Sequence, residues 1–538
     1  MPFLGSVLLL FFLSLSSFSQ PVFTHADTLR GSPSPLRSCY DVKFYDLHLH
    51  IDIQQKKIAG ANKIHYLVNS DFDKLQIDLF ANLEIHGIIH GEEQLSFARD
   101  NNAVFIQFGS LQKAGIRDSI TIYYSGIPIP ALNAPWDGGF VWSKDSLERP
   151  WTAVACEGTG ASLWWPCKDH LSDEPDSMRM SFTVPEALTC VSNGNPESAV
   201  SRFGEKTQRW MVHAPINNYN VTFYIGYYSH FSEAFTSISG NTISLDFYVL
   251  DYNLDKVKNH FLQVKPMLNC YEKLFGEYPF QKDGYALVEA PYWGMEHQSA
   301  IAYGNHFRTD MLKYDYIIVH ESGHEWWGNN VSVTDHGELW IHEAFTPYAE
   351  ALLVECSYDY NRSLNYLMKQ RSSIKNKEAI LGPLNVNYKG WKDSDMYYKG
   401  SWMLHTLRNV IADDTLWFGI LKGIQKKFKW NSVNSEMIIQ YINSRTGQDL
   451  HYFFDQYLKS PVPPAFTYSI KKKGRKTILS YKWESDVKDF RMPYFITLNN
   501  SEIIKLNPTT ELRTLEYHGK INKLEFPEKL FYVDIKKE

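Results

Sequence analysis

The segment running from His320 to Glu343 constrains this chain more tightly than any other. It opens His-Glu-Ser-Gly-His at residues 320–324 and closes Leu-Trp-Ile-His-Glu at 339–343. On a helix, His320 and His324 stand one turn apart on one face, about 6 Å along the axis. Two imidazoles so spaced can hold one tetrahedral zinc ion. Glu321 lies about 100° round the helix, where its carboxylate can reach a metal-bound water without taking a coordination place. A catalytic zinc keeps three protein ligands and one open position, so a third ligand must return from elsewhere. Residues 328–337 are rich in turn formers, and a second helix is expected over 341–355 with Glu343 near its start. Eighteen residues separate His324 from Glu343. The alternative is a buried histidine pair, satisfied inside an ordinary core helix.

Two neighbours of this segment are informative. Glu350 follows Glu343 by seven residues on the same helical face, where it can either bond a ligand imidazole or face solvent. Pro347 would break a hydrogen bond in a helix interior, so that helix either starts later than 341 or is kinked. Trp326 and Trp327 read as packing behind the metal motif.

The spacing of the three ligands is the gluzincin signature, and the chain resembles the aminopeptidase N family of zinc metallopeptidases, which includes leukotriene hydrolase. The resemblance implies one Zn2+ per chain, held by His320, His324 and Glu343, with Glu321 as the proton acceptor. Tyr397-Tyr398-Lys399-Gly400 resembles the family's Tyr-x-Lys-Gly element, which implies Tyr397 as the donor to the developing oxyanion. The adjacent Tyr398 is its rival. Trp293-Gly294-Met295-Glu296-His297 resembles Gly-x-Met-Glu-Asn. That implies Glu296 as the anchor of the substrate α-amine, with the backbone at Gly294 and Met295 pairing with an extended peptide. Trp293 and His297 depart from the pattern and alter the wall around the first substrate residue. Glu157, ahead of Trp165-Pro166-Cys167-Lys168-Asp169, resembles the Glu of the family's Gln-x-Glu and implies a second amine-binding carboxylate. Ala155 stands where the family has Gln, so one hydrogen bond to the substrate is lost.

Outside these motifs the chain reads as several domains. Period-two alternation, as in Tyr45–Ile53 and Leu75–Leu79, predicts an all-β N-terminal domain over 36–232. Helical spacing at 254–275, 395–412, 415–428 and 435–446 predicts a mainly helical catalytic domain over 233–459, thermolysin-like by the resemblance. After the proline-rich break at Pro461-Val462-Pro463-Pro464, strand patterns predict a small β-sandwich over 460–538. The whole is a multidomain α+β chain, without the large helical C-terminal domain of many relatives and hence with a more open cleft.

Residues 1–19 read as a signal peptide. Phe3 to Leu15 is apolar, uncharged and too short to span a bilayer comfortably, and Ser17-Phe18-Ser19 offers a small-x-small cleavage site. The chain is therefore expected to be secreted or periplasmic, with no stable membrane span after cleavage. The alternative is an uncleaved anchor. A net charge of −6 argues against nucleic acid as a partner. Six cysteines without CxxC spacing leave one or two disulfides open and their pairing unread. The expected activity is that of an aminopeptidase, hydrolysing the N-terminal peptide bond of peptides with a zinc-activated water. A zinc endopeptidase or other zinc hydrolase on the same site, or an inactive peptide-binding relative, are the competing readings.

Overall fold

The computed structural model describes residues 22–309 and 313–538, so the leader expected at 1–19 lies outside the described residues. Two short helices not anticipated from sequence come first, His25–Gly31 and Pro35–Ser38. Thr24 and Asp27 close a capping box on the first of them, which satisfies two of its free amide groups reciprocally. Strand Tyr40–Asp52 then buries alternate residues, pairing antiparallel with Lys57–Val68 and parallel with Ser177–Pro185. These strands belong to an eight-stranded sheet, and sheets of four and three strands accompany it. The loop holding Trp164 and Trp165, both fully buried, is fixed by a bridge between Asp78 and Cys167 and by Asn62, which donates to the Pro166 carbonyl at 2.8 Å.

The expected boundary at 232 falls inside a strand. Tyr228–Thr236 pairs along its whole length with Thr242–Leu250, and both lie in a five-stranded sheet with Tyr285–Glu289, Ile301–Tyr303 and Gly294–Met295. Phe231 packs on Phe247 of the neighbouring strand, with ring centroids 4.9 Å apart. Alternation along the strand shows which face is buried but not which sheet it joins, hence the misplaced boundary. Gly294–Met295 forms one edge of this sheet.

The helix expected over 254–275 is two, Leu254–Phe261 and Val264–Phe275. The one expected over 341–355 is likewise two, Trp340–Glu343 and Phe345–Ser357, joined at Ala344. Pro347 thus falls in the first turn of the second helix, where no amide partner is lost. A disulfide between Cys270 and Cys356 ties two of these helices together, and the other four cysteines are buried and unpaired. Helices Tyr360–Arg371 and His451–Lys459 were not signalled by the sequence.

The C-terminal strands form a four-stranded and a three-stranded sheet, with Phe466 and Trp483 of one packed on Tyr494 of the other. Lys399 joins this sandwich to the helical part, its Nζ donating to the Pro461 carbonyl at 2.9 Å. Among the described residues no helix is long and apolar enough to cross a membrane.

Candidate active site

Helix Tyr316–Gly323 carries the histidine motif and is buried on nearly every side, with Asp315 capping its start through Ile317 N at 3.1 Å. His320 and His324 are 7% and 1% exposed, and their Nε2 atoms lie 3.3 Å apart. Each Nδ1 is engaged elsewhere. That of His320 donates to Glu350 Oε1 at 2.7 Å, and that of His324 to the Trp327 carbonyl at 2.9 Å. These bonds fix the tautomer and leave both Nε2 lone pairs aimed at a common point. Of the two readings open for Glu350, the structure shows the bond to the imidazole. Glu350 is itself held by the Tyr366 hydroxyl at 2.6 Å.

Glu343 completes the set from the short helix Trp340–Glu343. Its Oε2 lies 3.8 Å from His324 Nε2 and is buried with no hydrogen-bond partner. A buried carboxylate oxygen without a partner is costly, and a cation between it and two imidazole nitrogens removes the cost. Two His and one Glu, with room left for a further ligand, form a donor set that fits zinc. Gly400 makes the arrangement sterically feasible. A Cβ there would meet the Ala344 Cβ at 2.4 Å, so only glycine lets helix Asp395–Ile411 approach the residue after Glu343.

Glu321 and Glu296 are 7% and 3% exposed, and Glu157 is half-buried beside them. Desolvation pushes all three carboxyls up, as it does Glu343; repulsion from neighbouring carboxylates adds to it at Glu157, Glu321 and Glu343, and Glu321 reaches about 8. Four neighbouring carboxyls demand positive charge, which a metal ion and a substrate ammonium would bring. Desolvation alone would depress His320, but its bond to Glu350 and the nearby carboxylates outweigh that and raise it. Tyr219, which no sequence signal marked, donates to Glu296 Oε1 at 3.2 Å.

Gly294 passes directly over Glu321. A Cβ on Gly294 would lie 2.5 Å from Glu321 Oε1 and 2.8 Å from Ile317 Cγ2, so the strand edge can cross the helix only as glycine. Met295 is buried and pairs with Ala302. Tyr397 stacks on His320 with centroids 6.4 Å apart and lies within the electrostatic reach of Glu343. Desolvation and the four carboxylates hold its hydroxyl well above the usual tyrosine range, so it stays a donor. Burial, with the charge of Glu350 added, raises the neighbouring Tyr398 hydroxyl. Of the two departures beside Glu296, only Trp293 faces the cleft. It is 45% exposed and stacks on Tyr316, which stacks on His320. His297 is fully buried and bonded to the Tyr224 hydroxyl at 2.7 Å.

Arg30, on the first helix, is a contact that sequence reasoning missed. Its Nη1 donates to the Gly158 carbonyl at 3.0 Å and to that of Thr159, while Asn387 Nδ2 also donates to Gly158 at 3.1 Å. A Cβ on Gly160 would sit 2.1 Å from Arg30 Nη2, so this glycine admits the guanidinium. The loop bearing Glu157 is thereby pinned from behind. His320, His324, Glu343, Glu321, Glu296, Glu157 and Tyr397 line one cleft of about 650 Å³.

Comparison with known proteins agrees with this geometry. The Peptidase family M1 domain matches residues 261–457. A probable aminopeptidase 1 of Sulfurisphaera tokodaii is 20% identical over 503 residues, covering 88% of this chain and 58% of that protein. Mouse aminopeptidase B is 25% identical over 231 residues, 38% of this chain and 35% of its own. The chain thus spans about a third to somewhat over half the length of these relatives. In fold it is similar to an M1 zinc metallopeptidase from Deinococcus radiodurans, with a TM-score of 0.67 at 18% identity over 79% of this chain and 94% of that one. Residues 261–457 thus match the M1 peptidase family, and the chain as a whole is similar to aminopeptidases in sequence and to M1 zinc metallopeptidases in fold.

Proposed function

We propose that this chain is an exported, zinc-dependent aminopeptidase that removes single residues from the amino ends of peptides. The observation that carries the reading is the pairing of Glu296 with Glu157 at the head of the edge strand, in the same cleft as the three metal-binding side chains and Glu321. An ammonium buried there finds the carboxylate partners it needs, and the first peptide bond then comes to rest beside Glu321. A Deinococcus relative has been seen bound to a Tyr-Ser-Ala substrate, a peptide of the expected kind. Export is supported by the apolar run at residues 3–15 and by the Cys270–Cys356 disulfide, which suits an oxidising compartment.

His320, His324 and Glu343 would hold the zinc. When bound, zinc supplies Lewis acidity, polarising the scissile carbonyl and acidifying the attacking water. Glu321 accepts a proton from that water and returns it to the nitrogen of the breaking C–N bond. Tyr397 donates to the carbonyl oxygen as negative charge gathers there. The free backbone groups of Gly294–Met295 align the substrate as an added strand.

Tyr397→Phe should therefore cost roughly 3 kcal/mol of transition-state stabilisation with little change in substrate affinity. Tyr398→Phe made in parallel separates the neighbours, and a severe effect confined to Tyr398→Phe would reverse the assignment. The reading as a whole is tested with peptides bearing free or acetylated amino ends, with products identified by mass. Acetylation should reduce kcat/KM severely, and Glu296→Ala should shrink the difference between the two. Internal cutting of acetylated peptides as fast as free ones are trimmed would make the protein an endopeptidase. Binding without cleavage of either would make it a peptide-capturing relative.

A further inference from the structure

The site described so far presents only carboxylates, imidazoles and a tyrosine hydroxyl, yet one wall of the same cleft carries Lys389 and Lys392. Both are exposed, and neither forms an ion pair among the described residues. The two carboxylates that act on Lys389 are committed elsewhere. Asp27 accepts from Thr24 N at 2.8 Å and Thr24 Oγ1 at 2.7 Å, and Asp169 accepts from Ser162 N and Oγ and lies 3.6 Å from Arg30 Nε. Around Lys392, Glu378 accepts the Lys392 N–H at 2.8 Å and Asp393 accepts the Asp395 N–H at 3.0 Å.

The position of Lys389 gives these charges a meaning. A Cβ placed on Gly158 would lie 3.2 Å from Lys389 Cδ, so the lysine stem runs beside the residue that follows Glu157. A substrate whose amine is held at Glu296 and Glu157 would lie in the same cleft as the wall that Lys389 borders. Desolvation and the charge of Arg30 hold Lys389 below the ordinary lysine range, a strain that an arriving carboxylate would relieve.

Resting on the aminopeptidase reading, we propose that Lys389 and Lys392 make the enzyme selective for peptides whose first residue is aspartate or glutamate. Five carboxyls line the cleft, Asp393 among them, and would otherwise repel such a side chain. The two ammonium groups reverse that local field and disfavour a basic first residue in the same stroke.

The test compares kcat/KM for the coumarinylamides of Glu, Gln, Leu and Lys, with the zinc-loaded full chain. Glu differs from Gln by the charge alone, and two exposed ammonium groups should give Glu an advantage of about tenfold. High salt should erode that advantage, since the attraction is screened, whereas a purely steric preference would persist. Lys389→Met and Lys392→Met should each lower the Glu-to-Gln ratio, and Lys389→Glu should invert it towards Lys substrates. Zinc content and Tm, measured alongside, separate loss of selectivity from loss of fold. The same carboxylate chemistry is offered by the far end of a dipeptide, so Leu-Ala is compared with Leu-Ala amide. An advantage for the free acid with no Glu-to-Gln difference would overturn the proposal and give the lysines to the substrate's carboxyl end. Equal rates for Glu and Gln with Leu well cleaved would overturn it and leave the aminopeptidase reading intact. Should no amide with a free amine be cut, both fall together.

Discussion

Replacing Glu321 by glutamine should leave zinc bound while turnover falls by at least about a hundredfold. The two side chains have the same shape, and shape matters here because Gly294 passes so close to Glu321 Oε1. The metal set is unaffected, since His320, His324 and Glu343 keep their bonds and positions. What disappears is basicity. An amide oxygen cannot take a proton from water and hand it to the departing nitrogen. Metal content by elemental analysis and single-turnover rates on the same preparation settle the matter. A metal-replete Glu321→Gln protein with near-normal turnover would show that another group moves the proton.

Removal of the zinc should destabilise the fold, and should do so more at pH 8 than at pH 5.5. Glu157, Glu296, Glu321 and Glu343 all have raised folded-state pKa values, Glu321 moving from 4.5 to about 8. A carboxyl raised on folding keeps a proton that the unfolded chain releases, so stability declines as pH rises from about 4.5 towards the folded value. His320, raised on folding, loses its contribution in the same direction. His324 is lowered and opposes them, as do the lowered His297, His336 and His342, which stand outside the metal set and act with or without zinc. With zinc bound, the carboxylates can ionise against positive charge and the decline is blunted. The metal-free protein, prepared by dialysis, should therefore show a Tm deficit at least about 5 °C larger at the higher pH. Equal deficits at both values would mean that these carboxyls do not hold their protons in the metal-free fold.

Much of the site was legible in the sequence because helix geometry is local. The four-residue step from His320 to His324 fixes their common face, whereas Glu350, open between an imidazole and solvent in the sequence, meets His320 through the packing of helix Phe345–Ser357. Gly294 and Gly400 stood within recognisable elements, although the close approaches that require glycine emerged only from packing. What the sequence concealed was pairing at long range. Strand Tyr228–Thr236 has the same alternation whichever sheet receives it. Tyr219 sits among asparagines that read as an ordinary turn, and its bond to Glu296 spans 77 positions. Lys389 and Lys392 belong to an irregular stretch with no period to interpret. Cys270 and Cys356 are joined by the packing of helices whose order of approach no spacing records.

The helix His25–Gly31 has a consequence for how the protein is made. Because Arg30 reaches from it to the carbonyls behind Glu157, this helix is a structural support of the loop that carries Glu157. A processing peptidase that cut after Thr24 would remove the cap of this helix and loosen that support without touching the β domain or the zinc. Any trimming of the chain past Thr24 would thus reach the support of the Glu157 loop.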